Sequence, residues 1–193
     1  LAKDLAQRIV VPFCPESKRS GVGIVDFMDA VWYRRAFTVP EAWSGRRVLL
    51  HFQAADYETT AWVDGRQAGR HRGGFTPFTF EITGLASPGK EAVLTVRCRD
   101  DHRMPRPRGK QSERFERHGC VYDRTTGIWQ TVWLEAVGRS YLQRPRITPD
   151  CARGAFRIEQ PVIADPGARD LSVLAVLGDE RGEVARAQAR VGG

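Results

Sequence analysis

Asp64-Gly65 stands between two short runs, Thr59 to Val63 and Gln67 to His71. This dipeptide constrains the fold more than any other feature of the chain. A two-residue type I′ loop needs positive φ at both central positions, and Asp-Gly tolerates that conformation. The flanking runs are therefore expected to pair as antiparallel strands. Similar runs recur on both sides. Val31 to Val39 carries Val, Trp, Tyr, Phe and Thr and is stopped by Pro40. Arg47 to Gln53 places Val48, Leu50 and Phe52 on one face, and Ala92 to Asp100 does the same with Leu94, Val96 and Cys98. Phe78 to Ile82 and Ile128 to Ala136 complete the series, with turns at Arg72 to Pro77 and Ser87 to Lys90. Period-2 alternation bounded by Gly and Pro is a strand signal. Seven or eight such strands with no long helical pattern predict an all-β antiparallel sandwich of jelly-roll form.

The last strand of the series has two distinct faces. Ile128, Val132, Leu134 and Ala136 fall on one side, Trp129, Thr131, Trp133 and Glu135 on the other. Two indoles opposite an aliphatic face predict a strand covered on both sides. The charged loop before it, with Asp123 and Arg124, would then be held at the mouth of a well-anchored strand, a common place for function. Residues 1–30 read as irregular, with a polar loop at Glu16 to Gly23. Between Asp101 and Arg124 lies a long insertion rich in Arg and Pro. A loop of that length in a compact domain is functional or counts against the assignment; it is taken here as functional.

Gly138 to Pro149 reads as a connector with two prolines. Three strands are expected beyond it, at Ala155 to Ile163, Leu171 to Leu177 and Val184 to Ala189, separated by turns at Asp165 to Gly167 and Asp179 to Gly182. They suit an immunoglobulin-like sandwich, which needs about seven strands. The expected organisation is a jelly roll over 1–140 and the incomplete N-terminal part of an immunoglobulin-like domain over 141–193. The start, Leu1 to Ala6, has neither an initiator Met nor a continuous apolar core. The chain is expected to be a fragment of a longer protein.

Composition excludes several classes. No stretch approaches the ~20 apolar residues of a membrane helix, so no membrane partner is expected. The net charge is +7, and its arginines are spread along the whole chain. The densest basic segment, Arg97 to Arg124, mixes nine basic with five acidic residues. Such mixing points to a solvated loop or to ion pairs, and no nucleic acid is expected. Cys14, Cys98, Cys120 and Cys151 form no Cys-x-x-Cys pair and read as reduced and buried or inert. His118-Gly-Cys120 is the only close His/Cys pair, too few ligands for a structural zinc site. There is no Gly-x-Ser-x-Gly and no phosphate-binding glycine loop, so no cofactor or metal is expected. Three carboxylate pairs, Asp26 with Asp29, Asp56 with Glu58 and Asp100 with Asp101, are read as solvated or capping groups. Trp32, Trp43, Trp62, Trp129 and Trp133 could stack on sugars, but most lie on strands and read as core or interface.

Four stretches together resemble one family. Val31-Trp-Tyr-Arg-Arg-Ala-Phe-Thr-Val-Pro40 resembles the opening strand of the N-terminal domain of glycoside hydrolase family 2 enzymes, among them the β-galactosidases, β-glucuronidases and β-mannosidases. Ala61-Trp-Val-Asp-Gly65 resembles that domain's hairpin, and His71-Arg-Gly-Gly-Phe-Thr-Pro-Phe78 its following turn. Thr126-Gly-Ile-Trp-Gln-Thr-Val-Trp-Leu134 resembles its closing strand. The matches span roughly residues 5–140 in the right order.

The resemblance implies a jelly-roll sugar-binding domain, then an immunoglobulin-like sandwich, preceding a catalytic TIM barrel. That barrel carries both catalytic glutamates, one in an Asn-Glu motif, and the chain contains no asparagine. The chain alone is therefore expected to be inactive, with no catalytic residue of its own. Its implied partners are a carbohydrate (a β-glycoside) and the barrel of the same full-length chain, with a homo-oligomer left open. The family's pocket loop maps onto Arg108, Lys110, Gln111, Tyr122, Asp123 and Arg124. Members with a sugar-contacting Asp place it, aligned through Gly127, at Val121. Valine cannot make that contact. Either Asp123 or Arg124 substitutes, or the domain contributes shape and interface. The compartment is open, with the cytoplasm favoured. The alternative is a free-standing carbohydrate-binding or interaction sandwich.

Overall fold

A computed structural model describes Leu5 and residues 7–191; residues 1–4, Ala6 and Gly192-Gly193, and with them most of the chain start read from sequence, lie outside the described residues. The chain divides into two compact units, Leu1–Ala136 and Val137–Gly193.

The first unit holds β1 (Ala30–Thr38), β2 (Arg47–Phe52), β3 (Ala55–Asp56), β4 (Glu58–Val63), β5 (Arg66–Arg72), β6 (Phe78–Glu81), β7 (Glu91–Arg99), β8 (Gly127–Ile128) and β9 (Val132–Val137). They form a four-stranded sheet in the order β1-β7-β4-β5, a three-stranded sheet β6-β2-β9 and a short β3-β8 pair. All the pairings with a recorded register are antiparallel. The β4–β5 hairpin turns at Asp64-Gly65 with φ of 47° and 78°, the geometry its sequence calls for. Alternation sends Tyr33, Ala61, Val96 and Cys98 of one sheet inward to meet Val48, Leu50, Phe52 and Phe80 of the other. Phe52 is fully buried, with its ring 4.8 Å from that of Phe78. The result is an all-β sandwich whose helical content is two single-turn 3₁₀ segments among the described residues.

One predicted strand breaks in two. Ile128 pairs with Ala55 through β3-β8, whereas β9 begins at Val132 and joins the other sheet. The chain steps between them at Trp129 to Thr131, where the Trp129 indole donates to the Gly74 carbonyl at 2.9 Å and the Thr131 carbonyl accepts from Gln53 N–H. The expectation of cover on both sides also needs correction. Trp133 is 40% exposed and stacks on the His51 ring at 4.8 Å, on the surface of its sheet.

The second unit holds β10 (Tyr141–Leu142), β11 (Arg146–Asp150), β12 (Ala155–Glu159), β13 (Val162–Ile163), β14 (Ser172–Asp179) and β15 (Gly182–Arg190). They pair as three two-stranded ribbons, β10-β13, β11-β12 and β14-β15. The expected connector at 138–149 therefore contains two strands: Pro145 falls between them and Pro149 lies within β11, the partner of a single strand. Among the described residues no helix is long and apolar enough to cross a membrane.

Candidate functional site

The loop between β7 and β8 leaves the sandwich at Asp100, which is only 6% exposed. A carboxylate buried that far needs opposite charge and hydrogen bonds. Arg108 donates to Asp100 Oδ1 at 3.2 Å, and Arg106 approaches the same oxygen at 3.5 Å. The Arg106 guanidinium also lies 4.7 Å over the Tyr57 ring. Arg108 donates further to the carbonyls of His102, Asp101 and Met104, which fixes the first turns of the loop. Burial pushes the Asp100 carboxyl up, and Arg108 and Arg106 pull it back.

A second anchor holds the middle of the loop. Asp56, 1% exposed on β3, accepts from Gln111 Nε2 at 2.8 Å through Oδ2. The same amide accepts Thr125 N–H at 2.8 Å through Oε1, so Gln111 ties the outgoing leg of the loop to β3 and to the returning leg. Burial raises the Asp56 carboxyl to about 6, with the Gln111 hydrogen bond opposing. Its Oδ1 has no hydrogen-bond partner and faces Gly74, where a Cβ would come within 2.7 Å.

The returning leg is anchored by Arg124 and Thr126. Arg124, 9% exposed, lies 4.0 Å over the Phe27 ring and donates to the carbonyls of Val25 and Arg114. Thr126 N–H donates to Glu16 Oε2 at 3.2 Å. Gly127 follows at φ 77°, and any side chain there would collide with the Tyr33 hydroxyl, which itself accepts Ile128 N–H at 3.0 Å. The two legs also pair directly: Ser112 N–H donates to the Tyr122 carbonyl at 2.8 Å and Tyr122 N–H to the Lys110 carbonyl at 2.9 Å.

The six residues mapped onto a pocket loop thus separate into two sets. Arg108, Gln111 and Arg124 are spent on holding the loop. Lys110, Tyr122 and Asp123 are exposed, and among the described residues the Lys110 and Asp123 side chains have no hydrogen bond or ion pair. The Tyr122 hydroxyl accepts Lys110 N–H at 3.2 Å. Val121 donates its N–H to the His118 carbonyl and offers nothing polar from its side chain.

Beneath the loop is a cleft of about 340 Å³, bounded by Phe27, Asp100, His102, Arg106, Arg108 and Arg124. At its rim Asp29, Asp101 and His102 bring three potential ligand atoms within 4.8 Å of one another. His102 is already placed by stacking on Phe27 at 4.4 Å and by Asp29 at 3.3 Å. This donor set, rather than His118 with Cys120, is where a cation could be held. His118 instead contacts Glu113 at 3.3 Å.

One expectation is corrected here. Asp56 and Asp100 are buried structural carboxylates and not solvated ones; the compensating donors come from the loop. Of the cysteines, all free, Cys98 is buried, its thiol raised to about 12 by burial, while Cys120 and Cys151 are exposed. The signal that could have found Asp56 is its place directly after the apolar Ala54-Ala55, where a solvated carboxylate is out of keeping.

Comparison with known proteins gives a consistent result. Residues 22–104 match the family description "Glycosyl hydrolases family 2, sugar binding domain". A beta-glucuronidase of Paenibacillus borealis is 41% identical over 71 residues, 37% of this chain and 12% of that protein. A beta-galactosidase of Thermoanaerobacter pseudethanolicus is 30% identical over 120 residues, 61% of this chain and 15% of that protein. The solved structure of a Faecalibacterium prausnitzii beta-glucuronidase matches with a TM-score of 0.69 and 25% identity, covering 99% of this chain and 37% of that one. The chain therefore spans well under half the length of these proteins.

Proposed function

We propose, for a chain whose residues 22–104 form a glycosyl hydrolase family 2 sugar binding domain, that it is the non-catalytic N-terminal module of a β-glycosidase. The full-length enzyme would hydrolyse O-glycosyl bonds on a TIM barrel. In a retaining enzyme of this kind two carboxylates about 5 Å apart act as nucleophile and acid/base. Both would come from the barrel, and the module would complete the substrate pocket with its long loop. Residues 141–193 would begin an immunoglobulin-like sandwich between the two.

The observation that carries this reading is the division of labour in the loop. Its legs are fixed through Asp100, Asp56 and Phe27, while Tyr122 stands exposed and the charges of the exposed Lys110 and Asp123 are uncommitted. Preorganised polar groups on a rigid support are what a substrate pocket requires. Val121 speaks against a direct copy of the Asp-containing pocket. Asp123, exposed two positions from Val121, would supply the acceptor for a sugar hydroxyl, and Lys110 a donor.

The test assays the full-length protein and the 193-residue chain side by side on a panel of nitrophenyl β-glycosides. The full-length protein is expected to hydrolyse at least one substrate and the chain none. A full-length protein inactive on every sugar would overturn the glycosidase reading and leave the fold intact.

A further inference from the structure

The outward face of the four-stranded sheet carries a group that the pocket loop does not use. Trp32 on β1, Arg97 on β7 and Trp62 on β4 alternate with Tyr33, Val96 and Ala61 of the core, so all three point away from it. Trp32 is 42% exposed. Its ring lies 5.7 Å from that of Trp62 with planes 17° apart, and the Arg97 guanidinium sits 5.7 and 6.0 Å from the two rings. Thr60 and Thr95, on the same face, are almost wholly covered, at 3% and 7% exposure. The two indoles stack on one another and with Arg97 form an apolar platform on the outer face of β1, β7 and β4, leaving part of Trp32 open to solvent.

Arg97 is the informative member. Among the described residues it has no ion pair and no hydrogen bond, and its Nε is buried without a partner. A buried Nε–H without an acceptor is costly unless something supplies one, and the remaining guanidinium donors are free to meet an anion. The register adds a second such group. Trp32, Arg97, Thr60 and Arg70 are consecutive partners along one row across β1, β7, β4 and β5. Arg70 is exposed and likewise without an ion pair or hydrogen bond among the described residues. Two strand separations place these arginines roughly 10 Å apart.

We propose that this row binds an extended acidic saccharide, with a sugar ring stacked on Trp32 and anionic groups on Arg97 and Arg70. Planar guanidinium forks pair with carboxylate or sulfate in two-point fashion, and indole faces accept the C–H face of a pyranose. The platform lies wholly inside the segment that matches a sugar binding domain, which favours a saccharide over a peptide or a nucleic acid. The proposal is independent of the pocket-loop reading, since neither Trp32 nor Arg97 belongs to that loop.

The test is affinity electrophoresis and calorimetry of the 193-residue chain with oligogalacturonate, a sulfated oligosaccharide, a neutral cello-oligosaccharide and a single-stranded oligonucleotide. Oligogalacturonate or the sulfated ligand is expected to bind and the neutral one not, the better of the two identifying the anion. Arg97→Gln should weaken binding about tenfold, as loss of a charge-assisted pair does. Trp32→Phe should weaken it about threefold with an unchanged melting temperature. Absence of binding by wild type would overturn the proposal. So would equal affinity in Arg97→Gln, tighter binding of the oligonucleotide, or a self-associated wild type that Trp32→Phe converts to monomer.

Discussion

The two units use strands in opposite ways. In the first, two sheets face each other and bury Phe52, Val63, Val96 and Ile82 almost completely. In the second, none of the described residues is buried. Its hairpins leave Leu174, Val176, Phe156 and Val184 between 53% and 59% exposed. Strand pairing alone thus makes no core; face-to-face packing of sheets does. Only a unit of the first kind can hold the 27-residue charged loop between Arg99 and Gly127 by buried contacts, because buried carboxylates such as Asp56 and Asp100 need a rigid low-dielectric surround.

The hardest blow to this contrast would be a tolerant core. Phe52→Ala should cost about 3–5 kcal/mol by urea unfolding of the first unit; a loss below ~1 kcal/mol would mean that the sheets are not closely packed. A smaller effect comes from Asp56. Burial raises its folded carboxyl to about 6, above the ordinary carboxylate value, so the folded state binds the proton more tightly than the unfolded chain. Its contribution to stability is present at low pH and is lost as pH rises from about 4 through about 6. Asp56→Asn should remove that component, so the melting temperature of the wild type relative to the variant should fall across this window. A constant difference would place Asp56 in a solvated site. The smallest effect belongs to the second unit. Val176→Ala should change stability by no more than ~0.5 kcal/mol, because its side chain is already in water. A loss above 2 kcal/mol would show that this face is covered in solution.

What could be read from the sequence follows the range of the forces involved. The Asp64-Gly65 hairpin and the strands around it are set by local φ preferences and period-2 alternation, so they were legible. The division of Ile128 to Ala136 was not, because it depends on the Trp129 indole reaching Gly74, 55 positions away. Asp56 looked like an ordinary turn acid because its partner Gln111 also lies 55 positions along the chain. Arg108 and Arg124 matched a pocket loop by position, yet burial turned them inward to Asp100 and Phe27. Lys110, Tyr122 and Asp123 matched the same pattern and stayed at the surface. Sequence position alone could not separate the two sets; the identity of what each side chain covers did. Two short strands between Gly138 and Pro149 were hidden by their prolines.

The most direct test of the account is the steady-state kinetics of Asp123→Ala in the full-length protein on its best β-glycoside. A pocket completed by the loop predicts that KM rises about tenfold, while the melting temperature stays unchanged because the side chain holds nothing in place. An unchanged KM and kcat would contradict it, and would leave the loop with a structural role alone.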